Sequence, residues 1–407
     1  MENDRGILRR LADSYMQIAV LPVQEEKKRL WRKLNGLKPE RPMVTIDQVS
    51  WSEVDDDSLA LKCTDKLNQE YERFFRRTLY QWKHFPVDMV IEPFVRVKKA
   101  VANSGFGVES LEKTIGKENH EVASHAYANL FTSLDDVEKV KMPNVTFDQA
   151  ETKKRMEHAA WLFDGIIDVR EEGVDPYISV WDTISTWMSV EGVLYAIIDD
   201  PEMMHALTKK VADGYMYMLD QLEGQGLLCH SQSLIHCTGA YTDDLPADGF
   251  DALKPRLKDI WNYGLAQMFS TVSPAMFDEY EIEYSKPIME RFGLTYYGCC
   301  DPLHAKMDEV KKISNVRKIS VSPWADQEES AEQIGRNYVF SRKPNPSFLA
   351  MESFDAAIIK KEFLTTLDIC KKHNGPSEFI LKDISTIRCK PERLAEWAKV
   401  AMGVVCG

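Results

Sequence analysis

Apolar and polar positions alternate in two different ways along the chain. Up to about residue 80, apolar residues recur at helical spacing, first over residues 5–19 and then in two highly charged stretches, 24–37 and 67–81. A short strand-like segment, residues 41–47, lies between these two charged stretches. We therefore expect residues 1–80 to form a helical N-terminal extension that packs on the domain that follows.

Beyond residue 86, short apolar segments alternate with helix-forming ones. Eight segments have the composition of strands: residues 89–92, 177–182, 233–237, 265–270, 294–299, 317–322, 338–341 and 378–383. Strands that alternate with helices favour parallel βαβ units, and eight such units predict an α/β fold, a (β/α)8 TIM barrel over residues 81–407. The first two segments lie far apart in the chain, which predicts a long insertion between them.

Composition and charge are those of a globular protein, and they exclude several classes of partner. Of the 407 residues, 44% are hydrophobic and 28% charged, with a net charge of −13. This acidic balance argues against nucleic acid or an anionic membrane as a partner, and no apolar run reaches the ~18 residues of a membrane-spanning helix. A charged N-terminus and eight scattered cysteines predict a cytoplasmic protein with free thiols. The helical extension is a candidate element for homodimerisation.

Side chains that can bind a metal follow three of the predicted strands. In a (β/α)8 barrel the catalytic groups stand at the carboxyl ends of the strands, and these ends meet at one mouth. His236 and Cys237 end the third predicted strand and Cys299 ends the fifth, while Cys389 follows the eighth. Because Zn²⁺ prefers imidazole and thiolate ligands, we expect His236, Cys237 and Cys299 to hold a zinc ion. The alternative is that the cysteines are small core residues.

Other candidate residues also stand at strand ends. Successive side chains of a strand point to opposite faces, so we expect Cys299 to share the mouth with Tyr297 and Cys300 to face the helix layer. Asp326 and Asp383 are catalytic candidates with Tyr297, as groups that orient a ligand or supply a proton; the alternative is that each aspartate caps a helix. The candidate substrate-binding residues are Trp181, Tyr241, Tyr296, Trp324 and Lys343. For the aromatic residues among them, packing in the core is the alternative.

Several common catalytic motifs are missing from the chain. It contains no GxGxxG after a strand, no Walker A loop, no GxSxG and no HExxH. The sequence therefore gives no support to dinucleotide-dependent, NTPase, serine-hydrolase or zincin chemistry.

Six segments stand in register with those of a known superfamily. They are RPMVTIDQVSW (41–51), RRTLYQWKHFPVDMVIEP (76–93), FSTVSPAMFDEYEIEYSKPI (269–288), YYGCCDPLHAKMDEVKKI (296–313), VRKISVSPWAD (316–326) and KDISTIRCKPERLAEW (382–397). Over roughly residues 80–407 the chain resembles the uroporphyrinogen decarboxylase superfamily, and within it the corrinoid-dependent methyltransferases that demethylate small substrates. The resemblance implies a (β/α)8 barrel.

The resemblance also bears on individual residues. The decarboxylase itself carries an Arg-rich motif near its N-terminus, which is missing here, and this counts against decarboxylase activity. Related coenzyme M methyltransferases carry His-x-Cys where this chain has Tyr297-Gly298-Cys299. The resemblance therefore implies that Cys299 is a metal ligand, with Tyr297 in place of the histidine. Cys389 lies near a second cysteine of that pattern, so the implied zinc triad is matched in part, and His236, Cys237 or a nearby acidic residue would complete it.

The activity that the resemblance implies is methyl transfer. A methyl group of a small donor, preferably a methoxylated aromatic compound, would pass to the Co(I) of a corrinoid carried by a partner protein, with Zn²⁺ as the Lewis acid on the leaving oxygen. Two alternatives stay open. One is the metal-free decarboxylation of a polycarboxylate, for which Arg342, Lys343 and Lys382 would ring the mouth. The other is a non-catalytic barrel that binds a corrinoid or a tetrapyrrole.

Overall fold

The computed structural model describes residues 2–115 and 124–407. Its strands are β1 Met43–Ile46, β2 Phe94–Lys98, β3 Ala100–Asn103, β4 Glu112–Ile115, β5 Ser124–Tyr127, β6 Val145–Asp148, β7 Asp168–Glu172, β8 Leu234–Ile235, β9 Thr238–Gly239, β10 Trp261–Gly264, β11 Leu294–Tyr297, β12 Val316–Val321, β13 Val339–Arg342 and β14 Ser377–Leu381. Its helices are α1 Glu2–Ala19, α2 Pro22–Asn35, α3 Lys66–His84, α4 Gln149–Phe163, α5 Val180–Asp199, α6 Pro201–Gly224, α7 Pro274–Phe277, α8 Glu283–Met289, α9 Met307–Val310, α10 Gln327–Ile334, α11 Ser347–Ala350, α12 Ala356–Lys372 and α13 Glu392–Val405.

The centre of the fold is one curled, parallel sheet of six strands, in the order β1-β14-β13-β12-β11-β10. A separate parallel pair, β2 with β7, accompanies it. The mixed α/β class and the parallel pairing are as the sequence predicts. The prediction of eight strands in a closed barrel is wrong in one respect: among the described residues, the strands do not join into a ring. The sheet is open between its edge strands β1 and β10.

A short hairpin fills the gap between the two edge strands. The Thr45 hydroxyl on β1 donates a hydrogen bond to the carbonyl of Cys237, at 3.1 Å. The Trp261 indole on β10 donates to the carbonyl of Ala240, at 2.9 Å. Strands β8 and β9 of this hairpin are only two residues each and pair with one another. The sheet is therefore bridged by side-chain hydrogen bonds rather than by a strand ladder, and the hairpin turn lies at the carboxyl end of the sheet.

The last four predicted strands are confirmed as β11 to β14, and the third, residues 233–237, contains β8, whereas the first, second and fourth are wrong. Residues 89–92 form no strand, and β2 begins at Phe94, after a proline that has no N–H for a ladder. Residues 265–270 likewise follow β10 instead of forming it. The apolar segment 177–182 is largely the start of the buried helix α5, whose first turn is capped by Ser179. A short apolar run has the same composition in a buried helix and in a buried strand, which explains this error.

The first 80 residues supply both helices and a strand. Helices α1, α2 and α3 lie where the charged amphipathic stretches predict them. The strand-like segment around residue 44 forms β1, which pairs in parallel with β14. The predicted insertion, between β2 and β7, contains α4 and the antiparallel pairs β3–β6 and β4–β5. None of the described helices combines the length and the apolar character needed to cross a bilayer.

Candidate active site

Polar side chains from three separate segments meet at the carboxyl end of the sheet. Cys299 and Cys300 follow β11, Lys382 and Asp383 follow β14, and His236 stands in the turn between β8 and β9. We call these five residues the mouth cluster. Strands of a parallel sheet deliver their carboxyl ends to one edge, which is why segments distant in sequence converge here.

Lys382 is the centre of the mouth cluster. Its ammonium nitrogen lies 2.9 Å from Nε2 of His236 and 3.2 Å from Sγ of Cys299. An ammonium group has donors only, so Lys382 donates both of these hydrogen bonds. The lysine side chain is 3% exposed, so its charge is stabilised by these partners rather than by water.

The two adjacent cysteines are in contact. Their sulfur atoms lie 3.3 Å apart, and the Cys300 thiol donates to Oδ2 of Asp383 at 2.7 Å. The expectation that they point to opposite faces is wrong, because the strand has already ended at Tyr297. Gly298 adopts a φ of 93°, and a Cβ atom there would lie 2.5 Å from the Leu303 side chain. This glycine breaks the alternation and turns both cysteines towards the mouth.

The surroundings of Cys299 and Lys382 favour the charged form of each side chain. The contact with Cys300 is the largest effect on the Cys299 thiol, and it lowers the pKa. Burial raises the pKa, whereas a hydrogen bond with His236 lowers it further. The net result is a pKa of Cys299 well below its usual value. Burial acts to lower the pKa of Lys382, but the nearby Cys237 and Cys299 outweigh it and raise that pKa above the usual range. These contacts therefore favour the thiolate form of Cys299 and the ammonium form of Lys382.

An aromatic surface borders the cluster. The ring of Tyr263 stacks on the imidazole of His236, with centroids 3.9 Å apart and planes at 9°. Tyr177 lies 6.0 Å from Tyr263, is 53% exposed, and donates its hydroxyl to Asp182 at 2.9 Å. Tyr263 itself is buried, so the exposed ring of Tyr177 is the face on which a planar ligand can pack.

Backbone strain is concentrated in the same place. His236 has a φ of 52° and Asp383 a φ of 57°, both in the left-handed region that residues other than glycine rarely occupy. Such strain persists where the surrounding structure fixes it, and it is common at active sites. Two of the five mouth-cluster residues are thus held in costly conformations that aim their side chains at Lys382.

Two predicted substrate-binding residues lie inside the curled sheet, beneath the cluster. Lys343 is buried and donates to the Tyr296 hydroxyl at 2.8 Å and to the Ser320 hydroxyl. The Tyr296 hydroxyl also contacts that of Ser341 at 2.9 Å, and the Cys237 sulfur lies 4.0 Å from it. This network fills the interior and supports the floor of the mouth.

The remaining predicted residues lie elsewhere. Trp181 is fully buried on α5 and donates to the carbonyl of Tyr280. Trp324 is 69% exposed on the loop after β12, and Asp326 caps helix α10 by accepting from the N–H of Glu329. Tyr241 lines a lateral cavity of about 670 Å³, whose wall also includes Asp47, Cys237 and residues of α3 and β2. The structure thus brings together His236, Cys299 and Asp383 but not these side chains.

Tyr297 points into the helix layer, where its hydroxyl donates to the carboxylate of Glu281 at 2.9 Å. Glu281 is fully buried, and burial, opposed by hydrogen bonds from Ser285 and Tyr297, raises its pKa to about 8. Tyr297 therefore has a structural partner on the face of β11 opposite to Tyr296.

The raised pKa of Glu281 predicts a pH-dependent stability. Between its ordinary value of 4.5 and about 8, the folded protein binds a proton that the unfolded chain has released. The free energy of unfolding should therefore fall as the pH rises through this window, by at most about 1.4 kcal/mol per pH unit from this group. Urea unfolding at several pH values would measure the slope, and Glu281→Gln should flatten it. Equal slopes in both proteins would contradict the assignment.

The zinc site expected from the sequence has to be tested against this geometry. Of the three proposed ligands, His236 and Cys299 come together, but the Lys382 ammonium group lies within hydrogen-bonding distance of both. Cys237 is fully buried below and contacts Tyr296. Among the described residues, no group of three or more His, Cys, Asp and Glu side chains is placed to hold a metal ion. The arrangement shown does not fit a three-ligand zinc centre, and the positive charge at the mouth is that of the lysine.

Comparisons with known proteins give a remote likeness. No protein-family model matches the chain, and no curated protein matches its sequence. Among solved structures, a methyltransferase from Methanosarcina mazei aligns over 92% of this chain and 98% of its own, with 10% sequence identity and a TM-score of 0.49. A likeness at this level does not assign an activity.

Proposed function

We propose that this chain is a methyltransferase that takes the methyl group of a small methoxylated aromatic compound and passes it to the Co(I) of a corrinoid carried by a partner protein. The observation that carries the proposal is the Lys382 ammonium group, held between the Cys299 sulfur and the His236 imidazole near the exposed ring of Tyr177. The superfamily resemblance of the sequence supports the same class of reaction. The proposal does not rest on the remote structural likeness.

Lys382 would stabilise the negative charge that develops on the leaving oxygen. When a nucleophile removes the methyl group of an aryl ether, negative charge develops on the phenolic oxygen, which is a poor leaving group. A fixed positive charge in a buried site stabilises that oxygen far more than the same charge would in water. Since the pKa of Lys382 is raised, the lysine keeps its proton and acts as a hydrogen-bond donor to the oxygen.

The other residues of the mouth position this charge and the substrate. The Cys299 thiolate and the His236 imidazole fix the lysine side chain, so that little reorganisation is needed when charge develops. The aromatic ring of the donor would pack on Tyr177, with its methoxy group over Lys382. The corrinoid, when bound, supplies the nucleophilic cobalt that accepts the methyl group. Zinc is retained as a prediction that elemental analysis tests, and no step above depends on it.

The charge at the mouth disfavours the polycarboxylate alternative. Of the three cations that would ring the mouth, Arg342 is directed away, towards Glu362 at 3.1 Å, and Lys343 is engaged in the interior. Burial raises the pKa of both Asp47 and Asp182, and both carboxyls interact electrostatically with Cys299, which places further acidic groups beside the cluster. A substrate with several carboxylates would meet these groups, and of the three cations only Lys382 lies at the mouth.

The products distinguish the proposed function from its alternatives. Purified protein would be incubated without oxygen with cob(I)alamin and either methoxybenzoates or polycarboxylates, and phenol release and carbon dioxide release would be followed in parallel. We expect the phenol to appear with methylcobalamin and no carbon dioxide to be formed. Carbon dioxide from a polycarboxylate would replace the proposal by the decarboxylase. Tight corrinoid binding with neither product would replace it by the non-catalytic barrel.

A further inference from the structure

The contact between Cys299 and Cys300 has no role in the proposed methyl transfer. Their sulfur atoms are 3.3 Å apart, so an approach of little more than 1 Å would bring them to the length of a disulfide bond. Cys300 is half-buried and lies at the open end of the sheet, within reach of a small oxidant. Cys299 is buried directly beside Cys300, and two thiols in contact, one of them open to the mouth, form a site of chemical modification.

We propose that Cys299 and Cys300 are a reversible redox site, which hydrogen peroxide or another hydroperoxide converts into a vicinal disulfide. In the first step the Cys299 sulfur attacks the peroxide: an S–O bond forms, the O–O bond breaks and hydroxide leaves, so that sulfur is oxidised by two electrons and peroxide reduced. In the second step Cys300 attacks the sulfenic acid, the S–S bond forms, the S–O bond breaks, and the departing hydroxide takes the thiol proton to leave as water.

The neighbours of the two sulfurs assign their order of reaction. Lys382 lies 3.2 Å from the Cys299 sulfur, and a positive charge at this distance favours its thiolate, the form that attacks peroxide. The Cys300 thiol instead donates to the carboxylate of Asp383, at 2.7 Å, which disfavours its ionisation. Asp383 can relay the proton of Cys300 to the departing hydroxide as the S–S bond forms. Cys299 is therefore the attacking residue and Cys300 the resolving one.

The disulfide should be easily reduced. Adjacent Cα atoms are about 3.8 Å apart across a trans peptide bond, below the range of about 4.4–6.8 Å in ordinary disulfides. The resulting ring is strained, and strained disulfides are the labile ones. A disulfide that is easily reduced suits a switch that cellular thiols can reset, rather than a permanent cross-link.

Oxidation would also alter the charge at the mouth. The Cys299 thiolate would become a neutral sulfur, and Lys382 would lose the anion that holds it. This second part of the inference rests on the proposed function, because it predicts that oxidised protein no longer transfers methyl groups. The disulfide itself does not depend on the proposed function, and it is measured separately.

Peptide mapping of the wild-type protein tests the disulfide directly. Trypsin should release residues 292–306, which contain Cys299 and Cys300 and no other cysteine. After brief peroxide treatment, we expect this peptide to be two hydrogen atoms lighter and resistant to alkylation, and dithiothreitol to reverse both changes. An ordinary thiol is only a few per cent ionised at neutral pH, so Cys299 should react at least about tenfold faster than the exposed Cys406.

Variants separate the two sulfurs. Cys300→Ser should stop at a sulfenic acid on Cys299 that dimedone traps, whereas the control Cys406→Ser should form the disulfide as the wild type does. A peptide 292–306 that is oxidised no faster than the one containing Cys406, or a disulfide joining Cys299 to a distant cysteine, would overturn the proposal. Since the wild-type mapping needs no substitution, it decides the question even if a variant fails to fold.

Discussion

Replacing Lys382 by methionine should lower methyl transfer by roughly 10²- to 10³-fold, the loss seen when one donor to a developing oxyanion is removed. Methionine preserves much of the side-chain volume while removing the charge that lies 2.9 Å from His236 and 3.2 Å from Cys299. Because the interaction strengthens as the oxygen becomes negative, the loss should fall mainly on kcat. The rate of phenol release with cob(I)alamin as the acceptor measures it.

The leaving group gives this prediction a second readout. Donors with electron-withdrawing ring substituents form more stable phenolates and depend less on Lys382, so the defect of Lys382→Met should shrink along such a series. The matched control is Lys371→Met, an exposed lysine in the last turn of α12, which should keep the wild-type rate. A constant defect across the series, or equal loss in the control, would show that Lys382 does not act on the leaving oxygen.

The second large effect concerns stability. Lys318→Met should lower the free energy of unfolding by about 3–5 kcal/mol, because it leaves a buried carboxylate without its counter-charge. Lys318 and Glu378 are both fully buried within the sheet, 2.9 Å apart, and Thr238 donates to the same Glu378 oxygen at 2.7 Å. Lys318 also donates to the carbonyl of Gly239 at 3.2 Å, so the pair ties the β8–β9 hairpin to β12 and β14.

A double substitution distinguishes loss of the pair from loss of packing. Lys318→Met combined with Glu378→Leu removes both charges and should recover much of the lost stability, since apolar replacements of buried pairs are often nearly neutral. The control is Lys372→Met, which breaks an exposed pair with Glu328 and should cost no more than about 1 kcal/mol. Urea unfolding of the four proteins gives the values. If the double variant is as unstable as Lys318→Met, the uncompensated charge is not the cause.

Whether an element of the fold can be predicted from the sequence depends on the interactions that fix its position. Strands β11 to β14 are short apolar runs that alternate regularly with polar connections, and their composition suffices to locate them. The β8–β9 hairpin is different, because hydrogen bonds from Thr45 and Trp261, residues remote in sequence, hold it in place. Its two-residue strands carry little local pattern, so only tertiary contacts place it between the edges of the open sheet.

The residues of the candidate site likewise differ in how far the sequence predicts them. Cys299, His236 and Asp383 can be found from the rule that strand ends carry the chemistry, and the structure brings them together. The central position of Lys382 could not be predicted, because it depends on how the ends of β14 and the hairpin meet. Tyr263 lies on a strand that the sequence analysis placed four residues too late, and Cys300 joins the mouth because Gly298 turns the chain.

Transfer of a labelled methyl carbon would show whether the protein demethylates an aryl ether onto cobalt. The protein would be mixed without oxygen with an excess of cob(I)alamin and a donor carrying ¹³C in its methoxy group, and carbon NMR would follow the label. We expect the label to appear as a cobalt-bound methyl group in an amount equal to the phenol released, and neither product to form with Lys382→Met on the same time scale. Label that stays on the donor with every methoxylated compound offered, or that leaves it without reaching cobalt, would contradict the proposed function.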